Sequence, residues 1–255
     1  MRHLSALLAL ALALAACEQS PPGEPDLSEI VRRHVEARGG AAALDAMRQI
    51  RIDVDIMERG QPIHARYAAG ADGLVRVDIY AGGELVFREG VDENGGWLRP
   101  AGDAEPREGL AAGRNALLNG AEMHLFGLHR YGERGHTLSL MPRQTIDDVA
   151  YYVIRSAFRT GQTSYFYVDP ESWLIVRRRD ERAYHPDVDP TAQKIETQFN
   201  DFRSVEGILI AHETVDRDLA TNEVMSTQSV EAVAINPGLT AAEFGRHYAT
   251  PARLP

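Results

Sequence analysis

Cysteine is almost missing from this chain. Cys17 is the only one among 255 residues, so no disulfide can form within it. Long apolar runs are equally scarce. The one present, Leu4 to Ala13, is too short to span a bilayer comfortably, and nothing after it is apolar enough to cross as a helix. Basic runs are lacking as well. With a formal net charge of -10, the chain has nothing that would hold a phosphate backbone, which excludes nucleic acid as a partner.

The usual signs of catalysis are also missing. No serine stands in a Gly-x-Ser-x-Gly elbow. His124, His129 and His136 lack the His-Glu-x-x-His spacing that sets two ligands on one helix face, so they are expected as solvated side chains. Asp187 and Asp189 offer carboxylates, yet the glycine and the other ligands of an EF-hand loop are lacking. His212 and Glu213, on a predicted strand, point to opposite faces. No metal, cofactor or catalytic residue is expected, and the chain is not expected to be an enzyme.

What is present begins with Leu14-Ala15-Ala16-Cys17, preceded by Met1-Arg2-His3 and the apolar run and followed at once by polar residues. This arrangement resembles the lipobox of bacterial lipoproteins, which implies removal of residues 1–16 as a signal peptide and acylation of Cys17. Several acyl chains would hold the chain on a membrane at about 0.8 kcal/mol per buried CH2. Glu18 follows where an aspartate would argue for inner-membrane retention, so the expected place is the periplasmic face of the outer membrane. Residues 17–25, rich in proline and polar groups, read as a tether, and residues 26–255 as a single domain.

Within that domain Asp26 can cap a helix from Leu27 that Gly39-Gly40 ends, and a second short helix follows to Met47. Ile50, Ile52, Val54 and Ile56 then alternate with polar residues, the mark of a strand with one buried face. Further strands are expected at 63–68, 74–80, 84–88, 137–144, 149–158, 163–168, 173–179, 194–202, 208–217 and 224–235, and a short helix near 241–244. Between Arg107 and Arg130 the spacing turns helical and predicts two helices broken at Gly120. Asp180 to Thr191 reads as a polar loop. Helices are too few to cover a parallel sheet. The fold class expected is therefore mainly β, with some α: a curved antiparallel sheet, its concave face lidded by helices over an apolar cavity.

A set of short motifs occurs in order: Arg38-Gly39-Gly40, the strand Ile50 to Ile56, Asp92-Glu93-Asn94-Gly95-Gly96-Trp97, Tyr167-Val168-Asp169-Pro170, and Asp201 to Ile208. Together they resemble the outer-membrane lipoprotein-sorting family, which is similar to the LolA/LolB carriers and receptors of the bacterial periplasm. The resemblance implies an unclosed β-barrel whose cavity takes acyl chains of lipids or lipoproteins. Candidate cavity residues are Ile50, Ile52, Val54, Ile56, Trp97, Phe126, Phe166 and Trp173, each of which also fits plain core. The other function class is a non-enzymatic envelope assembly or scaffold protein that uses the same curved sheet to bind a protein partner.

Overall fold

The computed structural model describes residues 23–253. The leader and Cys17 lie outside the described residues. Asp26 accepts the Glu29 backbone N–H at 2.9 Å and so caps α1 (Leu27–Ala37), which buries Ile30, His34 and Val35. Gly39 ends it with φ 129. A Cβ there would collide with the Gly207 carbonyl, and Leu209 N–H donates to the Arg38 carbonyl at 2.9 Å. Two of the ordered motifs thus meet in space, and only glycine fits the contact. Helix α2 (Ala41–Ala46) follows.

The strands are β1 (Gln49–Glu58), β2 (Gln61–Gly70), β3 (Val75–Ala81), β4 (Glu84–Asp92), β5 (Gly95–Pro100) and β6 (Arg107–Glu108), then β7 (Thr137–Ile146), β8 (Val149–Ala157), β9 (Thr163–Val168), β10 (Ile175–Ala183), β11 (Ala192–Val205), β12 (Ile208–Asp218) and β13 (Val224–Ile235). All pair antiparallel in one sheet of order β6-β5-β4-β3-β2-β1-β13-β12-β11-β10-β9-β8-β7. Two-residue turns with both φ positive join neighbours at Arg59-Gly60, Gly82-Gly83, Asp147-Asp148 and Glu206-Gly207. That geometry matches the right-handed twist of the strands it connects.

The sheet is rolled but not closed, since β6 and β7 are its free edges. On a flat sheet the seven spacings from β4 to β10, at about 4.8 Å each, would part these strands by roughly 34 Å. Yet Phe87 of β4 and Arg178 of β10 border one cavity. Across the concave side runs α3 (Ala111–Leu125), which carries the chain from one edge of the sheet to the other. The last helix is α4 (Ala241–Phe244), after which the tail crosses the outer face of β3 and β4. There Arg246 binds Asp92 at 2.7 Å and Arg76 donates to the Gly245 carbonyl at 3.0 Å.

The architecture expected from the sequence is the one observed, and three local expectations are corrected. Arg107 and Glu108 pair with Leu98 and Trp97 as β6, so the helix starts later, at Ala111. It is one helix and not two, because it runs through Gly120, where a Cβ would meet open space. Strand β10 also extends past Asp180 to Ala183. Asp180 is buried and accepts from Ser164 at 2.5 Å, which makes it part of the sheet and not of the loop.

Candidate ligand-binding cavity

The concave face has two ends. At one, Ile50, Ile52 and Val54 of β1 pack with Ala65 and Ala69 of β2 against Val35, Leu44, Ala121 and Leu125 of the helices. No room is left there. At the other end the helices run out, and a cavity of about 690 Å³ opens under the first half of α3. Its size lies within the range of small-molecule and lipid pockets.

Strand alternation decides what faces it. From the first half of the sheet come Ile63, Ile79 and Phe87, with Leu117 of α3 above them. From the second half come polar groups. The run Arg177-Arg178-Arg179-Asp180-Glu181-Arg182 alternates, so that Arg178, Asp180 and Arg182 border the cavity. Arg177 and Arg179 point outward and bind Glu196 at 3.0 and 2.8 Å. Inside, Asp180 receives Arg178 at 2.8 Å and Arg182 at 3.5 Å. Asp216 is buried without a cation in contact and is satisfied by neutral donors, Thr197 at 2.6 Å, Ser226 at 3.1 Å and Tyr184 at 3.4 Å. Burial, and then the charge of Asp216, raise the Tyr184 phenol above its ordinary value. The cavity is therefore amphipathic and not apolar throughout.

Three contacts hold the cover. Asn119 donates to Gln162 at 2.8 Å and accepts from Thr160 at 2.9 Å, which ties α3 to the β8–β9 turn. The Leu110 backbone N–H donates to Asp187 at 2.6 Å, which ties the start of α3 to the loop after β10. The Arg38 guanidinium donates to the His124 carbonyl at 3.1 Å and the Met123 carbonyl at 3.4 Å. It thereby meets the negative end of the α3 dipole.

Of the three histidines expected to be solvated, His124 is exposed, whereas tertiary contacts enclose His129 and His136. His129 is buried and bonds Asp45 at 2.8 Å. His136 is buried, accepts the Arg159 N–H at 3.1 Å and lies 3.4 Å from Glu122. His124 is exposed and borders the cavity, with the Tyr67 ring 5.0 Å away. Desolvation, then the charges of Arg38 and Arg178, lower its imidazole to about 4, so it is neutral at pH 7. Among the described residues no group of three or more His, Cys, Asp or Glu is placed to hold a metal ion.

Of the eight candidate cavity residues none borders the cavity under α3. Ile50, Ile52 and Val54 lie on the right face of β1 but at the filled end. Ile56 packs against the same core and borders a second recess, of about 730 Å³, beside His64 and Thr227. Trp97 is buried on the opposite, convex face, against Gly90 and with Arg76 5.4 Å above its ring. Phe126 follows α3 and packs under Arg134 at 4.4 Å. Phe166 sits one layer behind Phe158, which does border the cavity, at 6.3 Å. Trp173 occupies the turn before β10, stacked on Tyr152 at 5.4 Å with Arg33 4.4 Å above it. The residues missed were the charged ones, whose placement inside the barrel has no hydrophobic signal.

No family model matches the sequence, nor does any curated protein. Solved structures do match. A LolA superfamily protein of Nitrosomonas europaea is 15% identical and covers 87% of this chain and 98% of its own, with a TM-score of 0.57. A DUF1329 family protein of Desulfovibrio piger is 11% identical, over 86% of this chain and 96% of its own, with a TM-score of 0.55. At such identities the likeness is one of fold, and the chain has a LolA-like fold.

Proposed function

We propose that this chain is a non-enzymatic binding protein of the bacterial cell envelope that takes a lipid, or the acyl chain of a lipoprotein, into the cavity beneath α3. Acyl chains on Cys17 hold it at the periplasmic face of a membrane, the outer rather than the inner, with residues 17–25 as tether and 26–255 as one domain. The observation that carries the reading is the amphipathic cavity itself. One wall, with Ile63, Ile79, Phe87 and Leu117, suits hydrocarbon, and the other suits a polar head. Counting about 30 Å³ for a group the size of a water, the cavity of about 690 Å³ holds roughly twenty such groups. That is one long chain, not several.

Binding rather than catalysis fits the residues present. Of the carboxylates that border the cavity, the buried Asp180 and Asp216 are saturated by donors, and these two are not free to take a proton from a substrate. The LolA-like fold supports the reading as analogy.

Mass spectrometry tests both parts. The chain isolated from bacterial membranes is expected to begin at Cys17 and to carry acyl groups there. The mature chain from Glu18 onward, exported with a cleavable leader and sprayed under native conditions, is expected to retain a ligand that fragments to acyl chains. An unmodified Cys17 overturns the anchor. An empty chain that also takes up no fluorescent fatty acid overturns the cavity reading.

A further inference from the structure

The charges that border the cavity do not balance, and the excess lies in one place. In its polar half Arg178 and Arg182 stand against Asp180 and Asp216, so that half is neutral. At the rim Glu58 bonds His185 at 2.8 Å and has Arg59 beside it. Two carboxylates remain, Glu89 on β4 and Asp187 in the loop after β10. Among the described residues neither has a cation within salt-bridge distance. Glu89 accepts no hydrogen bond at all, and Asp187 accepts only the Leu110 backbone N–H, at 2.6 Å.

Both border the same cavity, and each feels the charge of the other. Burial, and next the charge of Asp187, push the Glu89 carboxyl up to about 7, with His185 acting weakly against the shift. Asp187 is held in place from the other side by Gly113, whose position leaves room for the carboxylate and for no side chain. Hydrocarbon surface begins beside the pair. Phe87, two residues before Glu89 on the same face of β4, pairs with Ile79 of β3. Leu117 lies one helical turn beyond Gly113.

We propose that the cavity selects an amphiphile whose head is a cationic amine, seated between Glu89 and Asp187, with its chain against Ile79, Phe87 and Leu117. The inference rests on the reading of the cavity as a chain-binding site and names the head that it takes. An ammonium supplies the positive charge that no described residue provides and donates to both carboxylates. A carboxylate or phosphate head placed there meets two like charges, which is the unfavourable case.

Three probes that share one chain length separate the outcomes: dodecylamine and dodecanoate, each below its micelle concentration, and dodecanol below its solubility limit. Binding to the chain from Glu18 onward is followed by calorimetry at pH 8, above the value of about 7 to which Glu89 is raised. Dodecylamine is expected to bind about tenfold or more tightly than dodecanoate, with dodecanol between them. In Glu89→Gln the ratio of amine to carboxylate affinity is expected to fall by about threefold or more while dodecanol is unaffected. Glu89 holds no partner, so this variant keeps the fold. Asp187→Asn, its fold checked by near-ultraviolet circular dichroism, is expected to act in the same direction. Equal affinity for amine and carboxylate, or a preference that survives Glu89→Gln, overturns the proposal and leaves the chain-binding reading intact. If none of the three chains binds, both fall.

Discussion

The two ends of the concave face are built from the same strands and meet different fates. At the filled end β1 offers Ile50, Ile52 and Val54, and the helices answer with Val35, Leu44 and Leu125 until no space is left. At the open end Ile63, Ile79 and Phe87 look across at Arg178, Asp180, Thr197 and Asp216. Apolar walls on both sides can close to crystal-like density. A wall of guanidinium and carboxylate groups cannot close on hydrocarbon, because a buried charge needs water or a partner. Polar inner residues are therefore what keep this cavity from becoming core. Helix α3 serves both ends: Ala121 and Leu125 lie in the core, whereas Gly113, Ala116, Gly120 and His124 border the cavity.

The contrast can be broken most sharply by inserting the same bulk at two places on α3. Ala121→Phe, at the filled end, overpacks a site without slack, and the cost is expected at about 3 kcal/mol or the upper limit for such insertions, read as a lower urea midpoint. An unchanged midpoint would mean that the filled end has hidden room. The next effect concerns protons. His34 lies inside the packed layer, where burial, then Arg38, lower it to about 3. Its folded value is below its unfolded value of about 6.5, so the unfolded chain binds more protons between these limits and stability falls as pH falls through that window. At pH 5 the loss is about 2 kcal/mol, and the chain should lose stability relative to His34→Gln as pH drops from 6.5 toward 4. A gap between the two that stays constant with pH rejects this account. His124 shifts in the same direction, but it opens to the cavity and adds less. The smallest stability change is expected for Ala116→Phe, at the open end, below about 1 kcal/mol. It should nevertheless block uptake of a fluorescent fatty acid, and uptake at the normal level would place the chain elsewhere.

Much of the architecture was legible because β alternation is a strong local signal. Ile50, Ile52, Val54 and Ile56 mark the buried face of β1 without reference to anything distant, and Gly82-Gly83 and Glu206-Gly207 announce their hairpins. The double apolar pattern around Tyr151-Tyr152-Val153-Ile154 also has its cause in the structure. Tyr152 and Ile154 join the layer under α1, and Tyr151 and Val153 form a smaller cluster with Tyr167 on the outer face. The cavity was not legible for the same reason that the strand was. Ile52 in the core and Ile63 at the cavity wall are identical to any local reading, and only the length of the helices decides which one is covered. The charges of β10 were hidden more deeply. Arg178 and Arg179 are neighbours of one type, yet one turns inward to Asp180 and the other outward to Glu196. Gly120 misled in the opposite sense, since a glycine inside a helix costs only about 1 kcal/mol and here does not end it.

The order of the sheet carries one more consequence. Its central seam joins β1 to β13, paired from Ile50 opposite Ile235 to Glu58 opposite Ser226 with one bulge between Asp53 and Val54. A chain that emerges from a ribosome or a translocon with its amino terminus first displays one bare edge of β1 throughout its synthesis. That edge has no mate until the final strand appears. Closing so distant a pair is slow, because loop-closure entropy is lost before the contacts form, and an unpaired apolar strand invites pairing with other chains. Completion of this sheet therefore waits for Val224–Ile235, and loss of that strand should cost the whole sheet rather than a strand of it.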